Sequence, residues 1–421
     1  MIEIYRDLLI VTCIGLLSWG IIRIERIYQY PFFMGSMFTS FILPQAFALI
    51  DQPGILTPKA VENVLFVSFL CAAACWIGYA SKPNRKWLAK LNIVIDERKL
   101  FQAGIVLMIQ GLFFNFLLSR TTIQLAETGG TWQGPSTIYL FFSQVINIAF
   151  GLFLLQSLKH PKIINLICTA ISGWPLLSTV LGGRRQPMMT LIVIIGFSLW
   201  LVYRFLPPRL VIIAAIFMMT VLLPVFGAIR GDFWNLVLTG NWEKVFSLVQ
   251  DVFETQQKGE ILELRNAAVF IDASDKTGMY GYGTGWWDSI VFQYVPGQIV
   301  GYDFKRSLQF NLITQETLEK LYGYTIPNGS TSTGIGDSFT EFSYLGCLTF
   351  AVIGYIFKHL WISAVYQKSI FSMLLYMGLI SPAMVGLTHG IGRFVQEAIF
   401  QVSFVILVAY YSRAKYKSQY I

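Results

Sequence analysis

The stretch GIGDSFTEFSYLGCLTFAVIGYIF, residues 334–357, opens polar and glycine-rich and ends as an apolar run. Such a run is the mark of a bilayer-crossing helix. Asp337 and Glu341 stand at its lip, four residues apart and therefore on one helical face. A carboxylate at the lip of a span is costly and marks a site more often than a fold requirement. The rest of the chain agrees. Of 421 residues, 55% are hydrophobic and only 13% charged, too apolar for a soluble domain of this length. The expected fold class is an all-α polytopic integral membrane protein.

Hydropathy predicts eleven spans, at about 8–24, 32–50, 61–80, 99–118, 136–157, 162–181, 187–203, 209–228, 336–357, 369–388 and 394–412. Basic residues set the orientation. The loop 81–99 holds Lys82, Arg85, Lys86, Lys90, Arg98 and Lys99. With that loop in the cytoplasm, Arg23, Arg26, Lys159, Lys162, Arg204, Arg209, Lys358, Lys368 and the tail residues Arg413, Lys415 and Lys417 fall on the same side. The short outer segments hold only Arg6, Lys59, Arg120, Arg184, Arg185 and Arg393. The C-terminus is then cytoplasmic and the N-terminus outside. The net charge of +8 reflects this topology and implies no nucleic-acid partner. The N-terminus lacks the basic region and small-residue cleavage site of a cleaved signal, so its first apolar run is expected to stay as an anchor.

Three parts follow: an N-terminal bundle of about eight helices (1–228), one long extracytoplasmic loop (229–335) and the C-terminal helices with a short cytoplasmic tail (336–421). A connector of that length is usually functional. Its segment NWEKVFSLVQDVFETQ has the apolar spacing of an amphipathic surface helix. Trp286, Trp287 and Tyr294, in GMYGYGTGWWDSIVFQYVPG, suit either contact with a glycan or an interfacial aromatic belt.

Charged residues on the outer side make up the candidate site. Arg184 and Arg185 in VLGGRRQP, Arg230, Arg265 and Arg393 would form an electropositive cup. Guanidinium groups bind phosphate oxygens bidentately and stay charged, so a lipid diphosphate is the natural ligand. Snorkelling to headgroups is the plainer role for each Arg alone. Glu341 is the preferred acid/base, with Asp337 and His389 beside it. His389, Arg393 and Glu397 would share a face if the helix runs through Gly390 and Gly392. The five cysteines lie in apolar segments, and no Cys/His spacing suggests a metal. No Walker, G-x-S-x-G or HExxH pattern occurs. Any group transfer is therefore expected to be metal-independent, without a cofactor, and driven by an activated donor.

Three segments resemble the Wzy-type O-antigen or oligosaccharide repeat-unit polymerase family. They are GGRRQPMMTLIVIIG, the long loop with YVPGQIVGYDFK, and STGIGDSFTEFSYLGCLTFAVIG, whose Glu341 and Gly346 fall on that family's Glu and Gly. The resemblance implies a glycosyltransferase of the bacterial inner membrane. It would join undecaprenyl-diphosphate-linked repeats for O-antigen, capsule or exopolysaccharide, and such enzymes usually work with a chain-length regulator. Where the family often has an Arg after the Pro of YVPG, this chain has Gly297; Lys305 and Arg306 are nearby substitutes. An O-antigen ligase shares the span plan and the donor. A flippase or transporter of lipid-linked sugars would need charges near mid-membrane and matching halves, and neither is evident.

Overall fold

The structure, a computed structural model, describes residues 1–122, 124–125, 132–133, 135–182, 184–228, 239–240, 242–244, 246–247, 250, 262–327 and 329–414. The protein is an all-α membrane protein. Ten helices among the described residues are long and apolar enough to cross a bilayer. The first part of the chain folds into α1 (Ile2–Ile22), α2 (Tyr30–Met37), α3 (Leu43–Asp51), α4 (Pro58–Ala80), α5 (Arg85–Leu91) and α6 (Glu97–Arg120). Next come α7 (Pro135–Ser143), α8 (Val145–Lys159), α9 (Ile163–Leu181), α10 (Arg185–Tyr203) and α11 (Arg209–Ala228). Between α6 and α7, Gln124–Leu125 (β1) pairs antiparallel with Trp132–Gln133 (β2). The expected span at 209–228 is the single helix α11, and only its portion up to Thr220 is described in full; that portion is too short to span alone.

Polar caps start the helices where the sequence supplies them. Asp96 accepts from the N–H groups of Arg98 and Lys99 at the start of α6. Thr57 accepts from Ala60, ahead of a Pro at the first position of α4. The basic loops gather at one end of the bundle. There Asn84 N donates to His359 Nε2 at 2.7 Å, Ser369 Oγ to Leu91 O at 2.7 Å, and Asp96 N to Ser412 O at 2.7 Å.

The remaining elements are α12 (Glu263–Thr277), α13 (Thr284–Tyr294), α14 (Gly297–Val300), α15 (Tyr302–Ser307) and α16 (Gln315–Tyr322). They are followed by α17 (Thr333–Phe342), α18 (Leu348–Val365), α19 (Ile370–His389) and α20 (Ile391–Ser412). The described part of the long loop packs on the bundle. α12 sets Leu264, Ala267, Ala268 and Ile271, all fully buried, against α17, α4 and α3. Its Asn266 donates to Ser330 Oγ and Thr331 O and accepts from Tyr324 OH. The expected amphipathic helix after Asn241 lies largely outside the described residues.

Two differences from the sequence reading matter for the site. The span expected at 336–357 is not continuous. α17 stops at Phe342, Ser343 takes φ +52°, and a single 3₁₀ turn, Ser343–Cys347, leads into α18. The helix likewise does not run through Gly390, where φ +106° and ψ 147° separate α19 from α20. Glycine tolerates that conformation and other residues do not.

α4 and α18 approach backbone to backbone. A Cβ on Gly354 would lie 2.8 Å from Cys75 O and 3.2 Å from Tyr79 N, and one on Gly78 would collide with Ala351 O. Small residues at a crossing let membrane helices pack this closely. Gly354→Val is therefore expected to lower stability by about 1–3 kcal/mol, read as a lower thermal midpoint in detergent. Gly15→Ala in α1, with nothing near its added carbon, is expected to leave the midpoint unchanged or raise it slightly. Equal effects of the two would remove the crossing from the account.

Candidate functional site

The two carboxylates of α17 do share a face, and each meets the start of a different helix. Glu341, 4% exposed, accepts from Gly283 N through Oε2 at 2.6 Å and from Gly285 N through Oε1 at 3.1 Å. Gly283 is the N-cap of α13, so Glu341 caps that helix from a distance of 56–58 residues in sequence. The turn before it is clamped as well. Gly281 N donates to Thr340 O and Tyr282 N to Glu341 O, both at 2.9 Å. A Cβ at position 281 or 285 would collide with the Glu341 carboxylate, which is why GYGTG is glycine-rich here. Asp337 does the same for α20: its Oδ2 accepts from Gly392 N at 2.8 Å, one turn along α17. A carboxylate at a helix N-terminus satisfies amides that have no partner within the helix and opposes the positive end of the dipole.

Beside this double cap lies a cavity of about 960 Å³, at the upper end of the range for small-molecule sites. It sits at the end of the bundle opposite the basic loops, between the end of α6, the start of α8, the end of α9, the start of α10 and the α19–α20 junction. Its deep walls are apolar, with Met37, Phe41, Ile148, Leu176, Ile194, Leu374 and Met377. Its polar side holds Arg184, Arg393 and His389 together with the carboxylates Glu263 and Glu397 and the amide of Gln186. Arg393 Nε pairs with Glu397 Oε1 at 2.9 Å, and Gln186 Nε2 lies 2.8 Å from both Glu397 oxygens. The buried Glu397 is thus held from two helices. His389 is exposed at the end of α19, with its Nδ1 2.6 Å from Thr388 Oγ1. The Thr388 hydroxyl also lies 3.1 Å from Val385 O.

Arg184, Arg393 and His389 therefore meet in one cavity, although the helical face expected to join His389 to Arg393 is interrupted. Arg185 opens α10 at the same end, with its backbone alone described. Arg230 lies outside the described residues. Arg265 turns elsewhere and donates from Nη2 to Gln52 O at 2.7 Å. The aromatics stand behind the double cap, away from the cavity. Trp286 packs edge-on against Phe342 at 5.4 Å. Trp287 Nε1 donates to Leu308 O. Tyr294 OH donates to Gln396 O at 2.6 Å.

Two further cavity residues complete the picture. Gln186 gave no signal beyond following the Arg pair. Gln401 stands on the stripe Arg393, Glu397, Gln401, spaced by four along α20. It is 6% exposed, and its Oε1 has no hydrogen-bond partner among the described residues. A buried acceptor left open in a cavity calls for a donor from a ligand or a water. No group of three or more His, Cys, Asp or Glu among the described residues is arranged to hold a metal ion.

Comparison with protein-family models, curated proteins and solved structures gives no match for this chain.

Glu341→Gln keeps the size of the side chain but sets an amide N–H₂ against one backbone N–H. The expected cost is about 1–3 kcal/mol, localised to the start of α13. Hydrogen exchange at Gly283 and Gly285 should accelerate about tenfold to a hundredfold. Unchanged exchange at both amides would show that the carboxylate does not hold the helix.

Proposed function

We propose that this protein is a membrane glycosyltransferase of the oligosaccharide-polymerase type. It acts on a glycan carried by a polyprenyl diphosphate, at the outer face of a bacterial inner membrane. The observation that supports this reading best is the two-part lining of the cavity. Apolar walls suit a prenyl chain, and the Arg184–Arg393–His389 side suits a diphosphate and its sugar. The orientation rests on the basic loops gathered at the far end of the bundle.

In this reading a hydroxyl oxygen of the acceptor glycan attacks the anomeric carbon of the donor. The bond from that carbon to the diphosphate oxygen breaks, and its electron pair leaves with the diphosphate. Arg184 and Arg393 stabilise the charge that accumulates there. The hydroxyl proton passes to the His389 imidazole. Glu397, fixed by Gln186, orients Arg393. Gln401 Oε1 accepts from a donor group of the bound molecule. Asp337 and Glu341 act as positioning residues, because both are committed to helix N-termini. The activated donor supplies the driving force.

The test uses the purified full chain in lipid vesicles with an undecaprenyl-diphosphate-linked oligosaccharide, with products resolved as a ladder. His389→Gln is expected to slow extension by about 10²- to 10⁴-fold, and Arg393→Ala or Arg184→Ala by about 10²-fold or more. Full-length ladders from all three variants would remove the cavity from the mechanism. Transfer to a different acceptor, without extension of the lipid-linked chain, would make the protein a ligase.

A further inference from the structure

We infer that residues 284–307 form a re-entrant hairpin seated in the membrane interface, with the acyl chains of the bilayer as the partner of its outer face. The inference stands apart from the transfer chemistry. α13 starts beside α20 and runs along it: Gln396 Nε2 donates to Ser289 O, and Tyr294 OH to Gln396 O. Phe141 touches Tyr294 and Phe400 at ring separations of 5.2 and 4.3 Å. Gln396 and Phe400 lie roughly 8 and 13 Å along α20 from its first residue. α20 has 22 residues, about 33 Å, and the hydrocarbon core is about 30 Å thick. The helix has little length to spare outside the core, so the far end of α13 lies below the headgroups.

The chain then returns. Lys305 Nζ donates to Phe292 O at 2.7 Å, and the Asp288 carboxylate accepts from Phe310 N and Asn311 N at 2.8 Å each. At the deep end three large outward side chains are apolar, with Ile299 76% exposed, Phe304 55% and Phe292 49%, while Gln298 and Asp303 are the exposed polar residues beside them. In water such a cluster would be a liability. Most of the N–H groups of the turn are satisfied within it. Val295, Ile299, Val300 and Gly301 all donate their N–H groups within the hairpin, and Pro296 has none to satisfy. On the returning limb Arg306 pairs with Asp303 at 3.2 Å and can reach headgroups, while the Lys305 ammonium is held by Phe292 O.

The experiment places a nitroxide at Ile299→Cys, Phe304→Cys or, as an aqueous control, the exposed Glu319→Cys, each in the full chain carrying Cys347→Ser. The vesicles contain phosphatidylethanolamine and phosphatidylglycerol, and collision rates are read with oxygen and with a water-soluble nickel chelate. At 299 and 304 the oxygen rate should exceed the nickel rate several-fold, with the reverse at 319. Nickel-dominated collisions at 299 and 304 would place the hairpin in water and overturn the inference. Low rates with both reagents would mean that protein covers this face, and would overturn it equally.

Discussion

Two helices begin side by side at one end of the bundle, α13 at Gly283 and α20 at Gly390, and each presents backbone N–H groups that no turn of its own can satisfy. Next to a bilayer, such groups cannot be left to water. Two carboxylates one turn apart on α17 answer both needs. Much of the architecture depends on this arrangement. It fixes the late loop to the bundle, aligns α13 with α20, and sets the position of the first turn of α20, from which Arg393 and Glu397 reach the cavity.

Much of the fold was legible in the sequence because its physics is local. Runs of some twenty apolar residues stand out from composition alone, and ten of them are long apolar helices in the structure. The spacing of Asp337 and Glu341 placed them on one face, and that of Arg393 and Glu397 did the same on α20, whereas His389, expected on that face, falls before the break at Gly390. The partners could not. Gly283 and Gly285 lie more than fifty residues upstream of Glu341, and no periodicity links a carboxylate to the helix end it caps. The break at Ser343 was hidden for a different reason. FSYLGCL is apolar enough to continue a helix, and only the positive φ of Ser343 reveals the turn. Arg265 looked like part of the cup by charge alone, but its guanidinium is engaged by Gln52 O.

The polar residues at the cavity end thus divide by what they touch. Asp337 and Glu341 hold backbone. Arg184, His389, Arg393, Glu397 and Gln401 border open volume. Among ionisable residues near a membrane, reach into a cavity separates a site from a scaffold better than charge does, since both kinds are costly to bury. α19 links the two sets, because its final residue, His389, lies one position before the glycine that separates it from α20. Among the described spans it is also the most enclosed, with 83% of its apolar stretch buried.

The double cap also acts as a register lock. Consecutive residues on an α-helix are offset by about 100° around its axis. One residue inserted or removed between Asp337 and Glu341 would swing one carboxylate away while the other stayed bound, and its helix end would lose its acceptor. The length of this segment is therefore more constrained than its composition. Ser338, Phe339 and Thr340 can vary in kind within the limits of packing, but their number cannot change without separating α13 from α20.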